Sequence, residues 1–317
     1  MTDHVLELPI VSEEEDNICL PLVINVVSRY WNEEIPIDEA KKIAKMYPKV
    51  RGSIMMEGIE LAEKYGFKSY IYHGSLQDLQ KRIDQGFPPI VILAGIQETV
   101  QHATVISGYD DSTNRVLTYF PEPDKMGAIT YKQFNEIWKQ DDNITMLIVP
   151  NDMSEIVEKD ELMFMQSNRL SFIAEKLHLQ GMYEEAMSTL LKAREIEPKN
   201  PRVWSLLGTL YNEENNEEAV NSYQQSIRLN SDFYLAYRGL GNYYLKKKDY
   251  TNAEKYYTKA IVINEFRFGP IYKNRAIARI ELNDRNGAAK DFNMYLEQCP
   301  NSSDRKNVQE MIKQLSS

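Results

Sequence analysis

Two side chains in this 317-residue sequence could together break an acyl bond: the thiol of Cys19 and the imidazole of His102. Cys19 stands directly before the apolar run 20–30, which reads as a buried helix with Pro21 near its first turn. Backbone N–H groups and the macrodipole at a helix start stabilise a thiolate and lower its pKa. His102 lies at the start of a strand candidate, 103–109. Folding that brings the two together would make a thiolate–imidazolium pair, the nucleophile and proton shuttle of a thiol hydrolase. The simpler reading of a lone cysteine beside an apolar helix is a small buried hydrophobe.

The elements that must position this pair are a mixture of helices and strands. Helices are expected over 38–46 and 53–65, opening on the capping residues Asp38 and Ser53, and over 75–85. Gly66 and Gly86 fit the left-handed ends of two of them. Strands are expected over 68–72, 89–94, 103–109, 115–120 and 144–149, with a helix over 131–138 before the last. The run from Asp110 to Asn114 is hairpin chemistry, with Asp110 and Asp111 as turn formers. Helices first and antiparallel strands afterwards give an α+β domain over 1–150. Pro150 ends the last strand, and the polar stretch after it reads as a linker, 151–166.

From 167 to 317 the chain repeats itself. A small residue recurs as Ala174, Gly208, Gly241 and Ala276, at intervals of 34, 33 and 35 residues. An alanine follows in each unit, Ala186, Ala219, Ala253 and Ala288, and a large side chain four residues after it: Leu190, Tyr223, Tyr257, Phe292. Periods near 34 with this pattern mean stacked helix pairs. Four pairs are expected, over 168–198, 201–230, 233–264 and 269–300, with a capping helix over 304–315 that covers the last apolar face. The units resemble tetratricopeptide repeats, the third most closely, through Tyr237, Leu240, Gly241, Tyr244, Ala253, Tyr257 and Ala260. The resemblance implies an all-α solenoid with a groove for a protein or peptide. Thr209, Asn212, Arg238, Asn242 and Lys273 would line it, and Arg238, Asn242 and Lys273 among them resemble the repeats that grip acidic peptide termini.

The first 150 residues resemble the bacteriocin-processing, double-glycine-leader type of papain-like cysteine peptidase. The matching pieces are the cysteine-headed helix ending Arg29-Tyr30-Trp31, the segment Gly52-Ser53-Ile54, the run from Leu61 to Phe67, the run from Gly86 to Leu93, and the His102 strand. Members of that group also occur fused to tetratricopeptide repeats. The resemblance implies Cys19 as nucleophile and His102 as its base. Three supporting positions depart from the family pattern. Leu20 replaces the glycine after the nucleophile, Glu13 stands near the place of the oxyanion-stabilising glutamine, and Phe120 replaces the orienting aspartate before Pro121. Losing one oxyanion donor costs roughly 10²–10³ in rate, and losing the orienting carboxylate roughly 10⁴. Asn17, Gln101 or Gln97 could serve as amide donors in their place.

Composition narrows the partners. The net charge of −10 argues against nucleic acid, which demands clustered Lys and Arg. No apolar stretch approaches the ~20 residues that span a bilayer. Two cysteines, one in each half, build no disulfide framework and suit a reducing cytoplasm. His4, His73 and His178 have no cysteine or carboxylate at metal-ligand spacing, and no Gly-rich phosphate loop occurs, so neither metal nor cofactor is expected. Two functions stay open: a cysteine peptidase-like hydrolase whose repeats recruit a partner, and a catalytically degenerate scaffold that acts as an adaptor.

Overall fold

The apolar run headed by Cys19 forms α1 (Cys19–Tyr30), buried at every position from Leu20 to Ser28. Its valines and isoleucine are mediocre helix formers, so burial rather than propensity holds it. The two polar side chains in this stretch are satisfied locally. Asn25 Nδ2 donates to the Ile35 carbonyl (2.8 Å), while Ser28 Oγ donates to the Asn25 carbonyl and accepts from the Ile35 N–H (both 2.9 Å). These bonds fasten the turn into α2 (Ile37–Lys45), and α3 (Met55–Lys64) completes the helical layer. The structure, a computed structural model, describes residues 4–11, 18–47, 53–94, 101–120 and 125–316.

The strands are β1 (His4–Val5), β2 (Phe67–His73), β3 (Ile90–Ala94), β4 (Gln101–Asp110), β5 (Arg115–Phe120), β6 (Lys125–Thr130) and β7 (Ile144–Pro150). They make one sheet in the order β2-β7-β3-β4-β5-β6, with β1 pairing β4. The pairs β1–β4, β2–β7, β3–β7, β4–β5 and β5–β6 are antiparallel. One face supplies Ile90, Ile92, Ala103, Val105, Tyr119, Met146 and Ile148 to a core shared with α1, α2 and α3. On the other, Ile106 and Val116 line a small cavity with Leu79 and Ile83 of α4 (Leu76–Asp84) and Tyr131 of α5 (Tyr131–Trp138). The β4–β5 hairpin turns as expected. Asp110 accepts from the backbone N–H groups of Ser112 and Thr113 and from both hydroxyls, which lowers its carboxyl pKa to about 2.

The stretch read as a linker is packed structure. After Pro150 come a single 3₁₀ turn and the short helix α6 (Ser154–Glu158), whose Val157 is fully buried with Tyr70, Tyr72, Phe87, Leu147 and Val149. Two charged residues of the stretch, Glu158 and Asp160, are bonded back to the sheet domain. Glu158 takes Lys68 and the Tyr70 hydroxyl at 2.8 Å each, and Asp160 takes Lys81 and the buried Arg82 at 2.6 and 2.8 Å. Polarity that suggests solvent is here consumed by partners.

Eight helices then form the four expected pairs: α7 (Met165–Leu179) with α8 (Tyr183–Ile196), α9 (Pro201–Glu213) with α10 (Glu218–Leu229), α11 (Tyr234–Lys246) with α12 (Tyr250–Ile263), and α13 (Pro270–Glu281) with α14 (Arg285–Gln298). The capping helix is α15 (Arg305–Ser316). Two compact units result. One takes in nearly all of the sheet, its helices, α6, α7 and α8 and ends at Val203; the other takes in the chain from Trp204 onward together with Ala94 and Gln101. The first repeat pair thus belongs with the N-terminal domain. Phe172 and Ile173 of α7 enter the core of α1 and α3. Arg169 forks onto Glu63 (both contacts 2.8 Å), and Lys176 reaches Glu57 (2.9 Å) and Glu60 (2.6 Å).

Inside the second unit the recurring small residues carry aromatic rings. A Cβ on Gly208 would lie 2.7 Å from the Tyr223 ring, and one on Gly241 would lie 2.5 Å from the Tyr257 ring. The Tyr223 ring also lies on Gly239 of the following pair, where a Cβ would come within 2.3 Å. Glycine to alanine in a helix normally stabilises by about 1 kcal/mol. Gly239→Ala should do the reverse, because overpacking costs about 1–3 kcal/mol. A clear fall in thermal midpoint is the expected result, and an unchanged or raised midpoint would contradict this packing.

Candidate active site

Cys19 is half-buried at the first position of α1 and packs against the core that contains Ala103, Val105 and Tyr119. Ile18, in the N-cap position, provides no side-chain cap, and the first turn holds no acid. The positive end of the α1 dipole therefore faces the thiol without a carboxylate of that turn to oppose it. Asn17, Glu13 and Gln97 lie outside the described residues.

His102 is the second residue of β4 and only 2% exposed. Alternation along the strand turns it away from Ala103 and Val105 and onto the face of Phe120. The two rings lie 5.5 Å apart between centroids, tilted by 38°. Phe120 thus occupies the flank of the imidazole where the family resemblance implies an orienting carboxylate. It offers no acceptor. Neither His102 nitrogen has a hydrogen-bond partner among the described residues. The Cys19 thiol and the imidazole are therefore not hydrogen-bonded in this resting arrangement. Gln101 is exposed and, as the strand neighbour of His102, faces the opposite way, so it does not orient the ring. Asp110 and Asp111 serve the hairpin, Asp111 by accepting from Tyr131 (2.7 Å) and Gln80 (2.8 Å).

Burial pushes the His102 pKa from 6.5 down to about 4, because desolvation penalises the cation. The ring is neutral at pH 7, a base that can accept a proton. The shift has a consequence for stability. Between about pH 6.5 and 4 the unfolded chain binds a proton on this ring that the folded chain does not, so stability rises with pH there. Acidification across that window should remove about 3 kcal/mol through His102. Urea unfolding at pH 7 and pH 4.5 would show this dependence in the parent and a flatter one in His102→Phe. Equal slopes would mean that the ring titrates normally.

The groove residues are partly committed to the array itself. Thr209 Oγ1 bonds the Ser205 carbonyl and the Tyr223 hydroxyl at 3.2 Å each, and Asn242 is exposed and accepts from the Tyr257 hydroxyl at 2.9 Å. The Asn212 carbonyl accepts from Lys246 at 2.8 Å, and Arg238 stacks over Phe268 at 4.9 Å. Lys273 is bound to Asp304, which also accepts from Tyr295 at 2.8 Å, just ahead of α15. That lysine ties down the capping helix. Among the described residues no three His, Cys, Asp or Glu side chains are placed to hold a metal ion, and no helix is long and apolar enough to cross a membrane.

Residues 5–146 match the model of the Peptidase_C39 like family, and residues 209–267 match that of the tetratricopeptide repeat. Among solved structures, the chain is similar to a double glycine motif protease from an AMS/PCAT transporter, in complex with its leader peptide. There the identity is 16%, over 46% of this chain and 94% of that one, with a TM-score of 0.37. It is also similar to the peptidase domain of Streptococcus ComA, a bi-functional ABC transporter, at 20% identity over 46% and 98% of the chains, TM-score 0.38. A third likeness is to MamA, at 22% identity over 46% and 83%, TM-score 0.39. No curated protein matches the chain.

Proposed function

We propose that this chain, an α+β Peptidase_C39-like domain followed by tetratricopeptide repeats, is a thiol hydrolase acting on a peptide or other acyl substrate in the cytoplasm. Cys19 Sγ attacks the carbonyl carbon while neutral His102 takes the thiol proton and passes it to the leaving amine. Water then cleaves the thioester, with the imidazole as base again. Asn17 stands nearest in sequence as a donor to the oxyanion. The repeat array recruits a protein or peptide partner along the face of Thr209, Asn212, Arg238, Asn242 and Lys273.

The observation that carries this reading is the imidazole itself. A histidine 2% exposed, with neither nitrogen bonded among the described residues, costs roughly 1–3 kcal/mol per unsatisfied group. Such groups in folded proteins call for an explanation, and a reaction partner is one. Phe120 favours a second reading, the degenerate scaffold, because it removes the support an imidazolium would need.

Iodoacetamide alkylation of Cys19 across pH 4–9, in a Cys299→Ser background, separates the two. The hydrolase should keep a plateau of alkylation below the ordinary thiol value of ~8.5, because neutral His102 accepts the thiol proton as the sulfur attacks, and His102→Ala should remove it. A profile that climbs at the ordinary value, unchanged in His102→Ala, leaves the scaffold.

A further inference from the structure

We infer that Tyr119 is a positioning residue for the reaction, holding the helix of Cys19 in register with the strand of His102. The inference rests on the hydrolase reading. Tyr119 lies on β5, next to the Phe120 that touches His102, but on the opposite face, and is 1% exposed. Its hydroxyl accepts from the Val11 N–H at 2.9 Å and donates to the Val11 carbonyl at 3.2 Å. One phenol thereby grips the backbone of a single residue of the N-terminal strap from both sides.

The strap is held at other points along its length. The His4 ring bonds Asp84 at 2.5 Å and stacks on Tyr109 of β4, and the Leu6 N–H donates to the Ser107 carbonyl of β4 at 2.7 Å. Arg29, near the end of α1, donates to the Ile10 carbonyl at 3.2 Å. Leu8 and Val11 enter the same core as Cys19. The strap is thus fixed to β4 at its start and to both α1 and β5 at Ile10 and Val11. A continuous path runs from the Cys19 helix through Arg29, Ile10, Val11 and Tyr119 to the strand beside His102. Such a path carries coupling only if a change at one end alters the other.

The test is a double-mutant cycle on the full chain in the Cys299→Ser background, read as the rate of Cys19 alkylation at pH 7. Tyr119→Phe keeps the ring and removes both bonds. It should slow alkylation about fivefold, the equivalent of one ordinary hydrogen bond. In His102→Ala the same change should have no further effect. Equal slowing in both backgrounds would make Tyr119 merely structural and overturn the inference. If His102→Ala itself leaves the rate unchanged, the hydrolase reading falls and the inference with it. Arg29→Met, which cuts the strap from α1 and spares the buried bonds, is the second probe. Its effect should have the same direction and the same dependence on His102, and additivity there counts equally against the proposal.

Discussion

Phe120→Asp should lower the midpoint of Cys19 reactivity and raise its alkylation rate at pH 6 by about tenfold. The aspartate would stand where a ring centroid now lies 5.5 Å from that of His102. A carboxylate there stabilises the imidazolium and supplies an acceptor for a ring N–H, two things phenylalanine cannot do. The His102 pKa, held near 4 by burial, should rise. In the hydrolase reading, an imidazolium that reaches the thiol then favours the thiolate. At pH 6 an ordinary thiol is ionised at well under ~1%, so ionisation could gain roughly 10²-fold. The lower basicity of the new thiolate takes back part of that gain, which leaves the tenfold figure. Because position 120 is 8% exposed, the variant loses apolar burial, and Phe120→Asn provides the uncharged control. A rate rise in both variants would assign the effect to loosened packing instead of charge.

Cutting the chain after Pro150 should destroy the N-terminal fold, whereas a chain ending at Val203 should keep it. The cut after Pro150 removes Val157, Leu162, Met165, Phe172 and Ile173, which cover Tyr70, Tyr72, Phe87 and the outer side of the α1–α3 core. Val157 and Phe172, both buried, stabilise by about 1.5–3 kcal/mol each, and the partly buried Leu162, Met165 and Ile173 by less. Their sum is comparable to the whole margin of a small domain, about 5–15 kcal/mol. The ion pairs of Arg169 and Lys176 add little, since most of their members are partly exposed. Near-ultraviolet circular dichroism of the two fragments decides the matter. A well-folded 1–150 fragment would restore the boundary expected from sequence.

That boundary shows where sequence reading stops. Periodicity locates the four helix pairs, because each pair must bury one stripe and the small residues mark where helices meet. It also locates α1, whose burial leaves no polar face. The linker misleads because Glu158 and Asp160 look solvated, while their partners, Lys68, Tyr70 and Arg82, come from far away in sequence. Strand β6 is invisible for another reason: Met126 is exposed and Gly127 breaks any alternation, so only pairing with β5 makes it a strand. At the site, the cysteine, the histidine and the missing carboxylate are all legible. What no spacing reveals is the tilt at which Phe120 meets the imidazole, or that Tyr119 turns the other way to grip Val11. Both depend on strand register, which sequence fixes only through pairing.

The Tyr223 ring has two glycines under it, Gly208 from its own pair and Gly239 from the next. One side chain therefore contributes at once to the internal stability of a repeat and to its junction with the following one, terms that are usually treated as separate in a linear array. Loosening α10 exposes both seats together. The second and third repeats should accordingly open together rather than one before the other.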